Sequence, residues 1–248
     1  MSDPSPTSQR PSAAVLQRPS AGSELSPGRV LVGVDIGGTK IAVAVVTPEG
    51  RILGRSQGAT ADCASYDAFV GALIALVERA LGEARCGESA LAGIGMGCPG
   101  PLDPARGTVH DPYTLPLPDG ADIVSPLRRR FDVPVLLEVD TFAAALGEHW
   151  LGAGAGRALI ACVMIGTGIG CGIVRNGRIA RGAGGAYPEI GHHAIDPAGP
   201  PCYCGARGCW EALASGTAIG RAGQQAAASG EGARMHALAG GRAEQVTS

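Results

Sequence analysis

From Val30 onward, apolar and polar residues alternate in short runs broken by glycine, as they do in half-buried strands. The runs "VLVGVDIGG", "IAVAVV" and "RILGR", with a "GGTK" corner and a "TPEG" turn between them, predict a three-stranded meander. The period then changes. Residues 65–84, "SYDAFVGALIALVERALGEA", place apolar side chains at helical spacing and predict a helix, and "LAGIGMGCPG" returns as a buried strand ended by glycine. A loop rich in Pro and Asp is expected to about residue 120. Beyond it, "DIVSPLRRRF" predicts a helix, "VPVLLEV" a buried strand, and "DTFAAALGEHWLG" a helix opened by Asp140.

The second half repeats the first. Setting Ile36-Gly37 on Ile165-Gly166 aligns a strand, a Gly/Thr-rich corner, a second strand and a turn, and then Gly50-Arg51-Ile52 against Gly177-Arg178-Ile179. Asn176-Gly177 is a type I′ hairpin signal. Two copies of a meander, each feeding a βαβ-type segment, predict two similar α/β domains facing each other across a cleft. The expected divisions are a disordered Pro/Ser/Gly-rich tail over 1–29, a first domain over 30–140 and a second over 141–248.

Composition narrows the partners. The chain has 248 residues, 45% of them hydrophobic, which is ample for two cores. A net charge of -2 shows no basic excess, so neither a nucleic acid nor an anionic membrane is expected as partner, and small molecules are. No apolar run reaches the roughly 18 residues of a membrane helix, and residues 1–29 lack a signal-peptide core, which points to the cytoplasm. Five of the eight cysteines (Cys63, Cys86, Cys98, Cys162 and Cys171) are scattered among apolar or small neighbours and read as free thiols.

Two motifs suit phosphate. In "GVDIGGTK", Gly37 and Gly38 let backbone N–H groups approach phosphate oxygens, Asp35 is placed for a hydrated Mg²⁺, and Thr39 and Lys40 stand beside it. It is not a P-loop, because Thr39-Lys40 reverses the required order and no helix follows. A tight hairpin with an incidental Asp is the plain alternative. A matching "GTGIG", with Gly166, Thr167 and Gly168 at its corner, argues against that, since two such corners grip a triphosphate from both sides. Asp140 has two readings as well: an N-cap, or a base at the C-terminal end of a buried strand that takes a hydroxyl proton during phosphoryl transfer.

The densest chemistry lies in "PEIGHHAIDPAGPPCYCGARGCWE". His192, Cys202, Cys204 and Cys209 supply one imidazole and three thiolates, the donor set of a closed structural zinc site. Close cysteine spacing in an otherwise disulfide-poor chain favours metal over a bridge, and only three local thiolates argue against an iron–sulfur cluster. His193 competes with His192, and spacing does not separate the two. Such a zinc is expected to do no chemistry but to clamp Glu189 and Glu211 in place, where paired carboxylates accept sugar hydroxyls; solvated surface glutamates are the plain alternative.

In this order, "VGVDIGGTK", "GMGCPGPLD", "LEVDTFAAALGEHW", "IGTGIGCGIV" and "EIGHHAID…CYCGARGCWE" resemble the ROK family of bacterial sugar kinases and sugar-responsive repressors. The resemblance runs from about Val30 to Ser215. It implies an actin-like ATPase (ribonuclease H-like) fold with sugar in the interdomain cleft, and the use of ATP, Mg²⁺ and a structural Zn²⁺. It places the general base on Asp140, which also contacts the sugar, the metal on His192, Cys202, Cys204 and Cys209, and further sugar contacts on Glu189, His192 and Glu211. Three departures accompany it. Val139 and Phe142 replace asparagines, Thr114-Leu115-Pro116 replaces an "NLP" segment, and the chain ends at Ser248, so the second domain is expected to be incomplete. A sugar-sensing repressor would need a helix-turn-helix ahead of Val30, which 29 Pro/Ser-rich residues are not expected to form. A non-catalytic sugar-binding protein is the other rival, and a homodimer is left open.

Overall fold

The computed structural model describes residues 28–112 and 114–248. The expected tail therefore lies outside the described residues except for its last two. Of these, Arg29 is anchored, its Nη2 donating to the Leu91 carbonyl at 2.6 Å.

The first meander forms as the alternation requires. Strands β1 (Val30–Ile36), β2 (Lys40–Val46) and β3 (Ile52–Ala59) pair antiparallel in sequence order. Val30, Val32, Val34 and Ile36 face the core, while Leu31, Gly33 and Asp35 face the other side of the sheet. Helix α1 (Tyr66–Glu83) starts where the Ser65 hydroxyl accepts the Ala68 amide. It covers β2 and β3 with Phe69, Leu73, Leu76, Val77 and Ala80. Strand β4 (Leu91–Cys98) then returns parallel to β1, which completes a βαβ crossover.

The segment expected to be a loop carries structure. Two-residue strands β5 (Leu102–Asp103), β6 (Thr108–Val109) and β7 (Ala121–Asp122) make a small antiparallel sheet. Strands this short leave no period to detect. Their turn is built by Asp103, whose Oδ1 accepts the Ala105 and Arg106 amides. Helix α2 is shorter than expected, Ser125–Phe131, because Asp122 Oδ1 accepts the Val124 and Ser125 amides and Pro126 follows in the first turn. Strand β8 (Val135–Val139) joins β4 in parallel, giving the sheet order β3-β2-β1-β4-β8, and runs straight into α3 (Asp140–Leu151).

The second meander is β9 (Leu159–Ile165), β10 (Ile169–Arg175) and β11 (Arg178–Ile179), in the order β11-β10-β9. Ile165 pairs with Ile169 as Ile36 pairs with Ile41, so the repeat read from sequence is a repeat in space. Asn176 and Gly177 both adopt positive φ, 51° and 71°, the requirement of a type I′ turn. Among the described residues no fourth strand joins this sheet. Only the first copy feeds a βαβ unit among the described residues. After β11 the chain passes through the cysteine-rich loop into α4 (Trp210–Ala214), α5 (Gly216–Ser229) and α6 (Ala233–Leu238).

Helix α3 joins the two halves by packing on β10 and β9 as well as on β4 and β8. Gly172 permits the approach, since a Cβ there would lie 2.3 Å from the Thr141 carbonyl oxygen and 2.6 Å from Ala145 Cβ. Among the described residues no helix is long and apolar enough to cross a membrane.

Candidate active site

The C-terminal ends of β1, β4 and β8 open on one edge of the first sheet, where parallel strands present polar groups to ligands. An open cleft of about 2970 Å³ runs from that edge along the sheet face opposite α1, and Asp35, Gly37, Glu138, Asp140, Arg181 and Tyr187 are among its walls.

The two glycine corners differ in detail from the expectation of free amides. At the first, the Gly37 amide donates to the Lys40 carbonyl at 2.9 Å and the Gly37 carbonyl accepts Thr60 Oγ1 at 2.6 Å. Gly37 thus closes the turn, and Gly38, Thr39 and Lys40 remain exposed toward solvent. Thr114, in the position of the replaced amide, packs on this corner: a Cβ on Gly38 would lie 3.1 Å from Thr114 Cβ. At the second, the Gly166 amide donates to the Gly168 carbonyl at 2.9 Å, while Gly166 and Thr167 offer their carbonyls to Gly216 N (2.7 Å) and Thr217 Oγ1 (2.8 Å). Thr167 is exposed.

Asp140 is the first residue of α3, not its cap. Val139 holds the cap position and makes no side-chain cap, while Asp140 Oδ1 accepts the Thr141 amide at 2.7 Å. Burial raises its pKa, the Thr141 amide works against that, and the Asp35 carboxylate adds to it. The buried Cys98 thiol at the end of β4 senses the same pair: burial, then Asp140 and Asp35, push it up to about 12. A part-buried carboxylate, Asp140, and an exposed one, Asp35, therefore stand at one strand edge and repel each other's charge.

The cysteine-rich loop brings four ligand atoms together. One from each of His192, Cys202, Cys204 and Cys209 lie within 4.8 Å of one another. His192 Nδ1 stands 3.5 Å from Cys202 Sγ, and Cys204 Sγ 3.6 Å from Cys209 Sγ. These match the edges of a tetrahedron with metal–ligand bonds of about 2.0–2.3 Å, so the donor set fits zinc. His192 enters the cluster and exposed His193 stays outside it, joined to Trp210 through its backbone carbonyl. His192 Nε2 meets the Tyr203 hydroxyl at 3.0 Å. Although Tyr203 is 83% exposed, withdrawal of its hydroxyl from water, then the Glu211, Cys202 and Glu189 charges, push its pKa up to about 12. The Glu211 and Glu189 charges are thus both felt at the Tyr203 hydroxyl, which itself meets His192. Glu211 has a second task, because its Oε2 accepts the Ile169 amide at 2.7 Å and ties this loop to the second corner.

Val139 and Phe142 are buried and offer nothing to a ligand. The polar groups beside them are Glu138 and Arg181, an ion pair that sequence reading missed. A glutamate in an otherwise apolar strand, two residues before Asp140, was the available signal.

A five-stranded sheet of this order, facing a second meander with glycine corners and carboxylates at the strand ends, is an actin-like ATPase architecture. The chain belongs to the ROK family, whose model matches residues 31–247. Glucokinase of Thermotoga maritima is 38% identical over 195 residues, 79% of this chain and 60% of that protein. The xylose repressor of Bacillus subtilis is 34% identical over 188 residues, 76% of this chain and 48% of that one. The crystal structure of a ROK family glucokinase from Streptomyces griseus, in complex with glucose and AMPPNP, matches with a TM-score of 0.72 at 36% identity, covering 88% of this chain and 68% of that chain. This chain spans about 60% of the length of the glucokinases it matches.

Proposed function

We propose that the protein phosphorylates a hexose hydroxyl with ATP. The observation that carries this reading is the Asp140 carboxylate: it stands at the C-terminal end of β8 with one oxygen pinned by an amide, and its pKa is raised by burial and by Asp35. A base that holds a proton more tightly than an ordinary carboxylate is suited to accept one from an attacking hydroxyl. As that oxygen bonds to the γ-phosphorus, its proton passes to Asp140 and the β–γ bridging oxygen leaves with ADP. Asp35 offers a carboxylate to the Mg²⁺ that accompanies ATP, and the exposed amides of Gly38, Thr39 and Thr167 face the phosphates. Glu189 and Glu211 accept the sugar hydroxyls, and His192, whose Nδ1 faces the cysteine cluster, donates its Nε2–H to a sugar oxygen. Zinc held by His192, Cys202, Cys204 and Cys209 would supply a rigid template with no open coordination position.

A coupled ADP-release assay across a hexose panel tests the reading, with Asp140→Asn alongside. The variant is expected to lose about 10²–10⁴-fold in kcat while keeping sugar affinity. ADP release from no hexose, together with sugar binding, would instead leave a sugar-binding protein, the role that buried Val139 and Phe142 favour. The same residue carries a pH signature. Its raised pKa means that ionised Asp140 opposes folding, fully above the folded pKa and not at all below the unfolded one. Asp140→Asn should therefore raise Tm at about pH 7 and leave it unchanged near about pH 3. A variant that melts lower at neutral pH contradicts this.

A further inference from the structure

Arg181 follows β11 in the second half of the molecule, yet its guanidinium pairs with Glu138 on β8 in the first. The two side chains are only 24% and 13% exposed. Glu138 is held from the other side as well, its Oε1 accepting the Val139 amide at 2.8 Å. The guanidinium lies 4.9 Å from the Tyr187 ring centroid and 5.3 Å from that of Phe142, and these rings are themselves 5.3 Å apart. Each partner borders a residue of the proposed chemistry. Glu138 and Phe142 flank Asp140 at two residues on either side, and Tyr187 precedes Glu189 by two.

Withdrawing both charges from water costs about as much as their attraction returns, so such a pair adds little stability. What it does impose is geometry, because a guanidinium packed against two adjoining rings and paired with a pinned carboxylate has few alternative positions.

We propose that Arg181 is a positioning residue: its clasp on Glu138, Phe142 and Tyr187 sets the reach from Asp140 to the Glu189–His192 segment, so that the sugar hydroxyl meets the base at reacting distance. The proposal rests on the phosphoryl-transfer reading for its catalytic part. A displacement of about 1 Å between reacting groups costs on the order of 10²-fold in rate. Lysine cannot substitute, since its ammonium has no planar face to lie against the rings.

The test uses Arg181→Met, Arg181→Lys and the double variant Glu138→Gln/Arg181→Met, the last leaving no unpaired charge that would unfold the chain. Amide hydrogen exchange is the readout independent of activity. Residues 183–192 should exchange about tenfold faster in Arg181→Met and in the double variant, while residues 66–83 stay unchanged. In the hexose assay, kcat should fall on the order of 10²-fold in both, with the sugar KM within about threefold, and Arg181→Lys should recover only part of the loss. Unchanged exchange at 183–192 in the double variant overturns the clasp whatever the activity. Faster exchange with an undiminished kcat overturns the positioning role and leaves a structural brace. If the unaltered protein transfers phosphate to no hexose, the functional reading and the positioning role fall together, and the exchange arm alone decides the clasp.

Discussion

The two meanders share a pattern but are braced differently. In the first, β1 sits mid-sheet between β2 and β4, and its corner is tied down by Thr60, buried at the end of β3. In the second, among the described residues β9 pairs with β10 alone, and Ile165 is 60% exposed, where its repeat partner Ile36 is 0% exposed. The corner after Ile165 is held instead by residues that come later in the chain: Glu211 on the Ile169 amide, Gly216 on the Gly166 carbonyl and Thr217 on the Thr167 carbonyl. All three follow the last of the clustered cysteines. One corner is thus fixed by its own sheet, the other by the loop that the His/Cys cluster would organise. A single local pattern can acquire its rigidity from a sheet or from a cross-linked loop, and the second source is removable.

Removing it should give the largest effect. The purified protein is expected to carry about one zinc per chain, and structural zinc sites contribute on the order of 10 kcal/mol of apparent binding free energy. Chelation or Cys209→Ser should therefore strip hydrogen-exchange protection from residues 165–170 and 189–216 while residues 30–59 keep theirs. Equal loss in both meanders, or none in either, would erase the contrast.

Next comes the joint between the halves. Gly172→Val would drive a side chain into the Thr141 carbonyl and Ala145, so destabilisation of about 1–3 kcal/mol is expected in urea unfolding. An unchanged midpoint would mean that α3 shifts without cost.

Glu211→Gln probes the tie itself. The amide keeps the shape but gives up a charge-assisted bond to Ile169, a loss of about 1 kcal/mol, and exchange of the Ile169 amide should quicken accordingly. Since the same carboxylate is assigned to the sugar, hexose affinity should fall about tenfold in calorimetry. A drop in one readout without the other would separate the two tasks.

The smallest effect belongs to the first corner. Thr60→Val removes the hydroxyl bond to the Gly37 carbonyl for about 1 kcal/mol, with the nearby sheet holding the corner's position. Its unfolding midpoint should drop slightly and its kcat stay within about twofold. A tenfold or larger loss of kcat would show that the sheet is no better a brace than the loop.

By itself the sequence determined what depends on near neighbours. Alternation along β1 and β2, the helical period of 66–83, the Asn176-Gly177 turn and the repeat of Ile36 in Ile165 were all legible, because period and turn chemistry report how each residue meets water and its own backbone. The clustering of His192 with three cysteines was legible for the same reason of short range, although spacing did not separate His192 from His193; the family resemblance did, and the fold brings His192 to the cluster. Tertiary structure decided the rest. It spent the Gly37 amide on closing a turn, made Asp140 the first residue of a helix rather than its cap, and laid α3 against both sheets. It also joined Glu138 to Arg181 and Ile169 to Glu211, partners 43 and 42 residues apart in the chain. No local pattern encodes such pairs, because which polar groups meet across a cleft is set by how two packed sheets and one shared helix come to rest against each other.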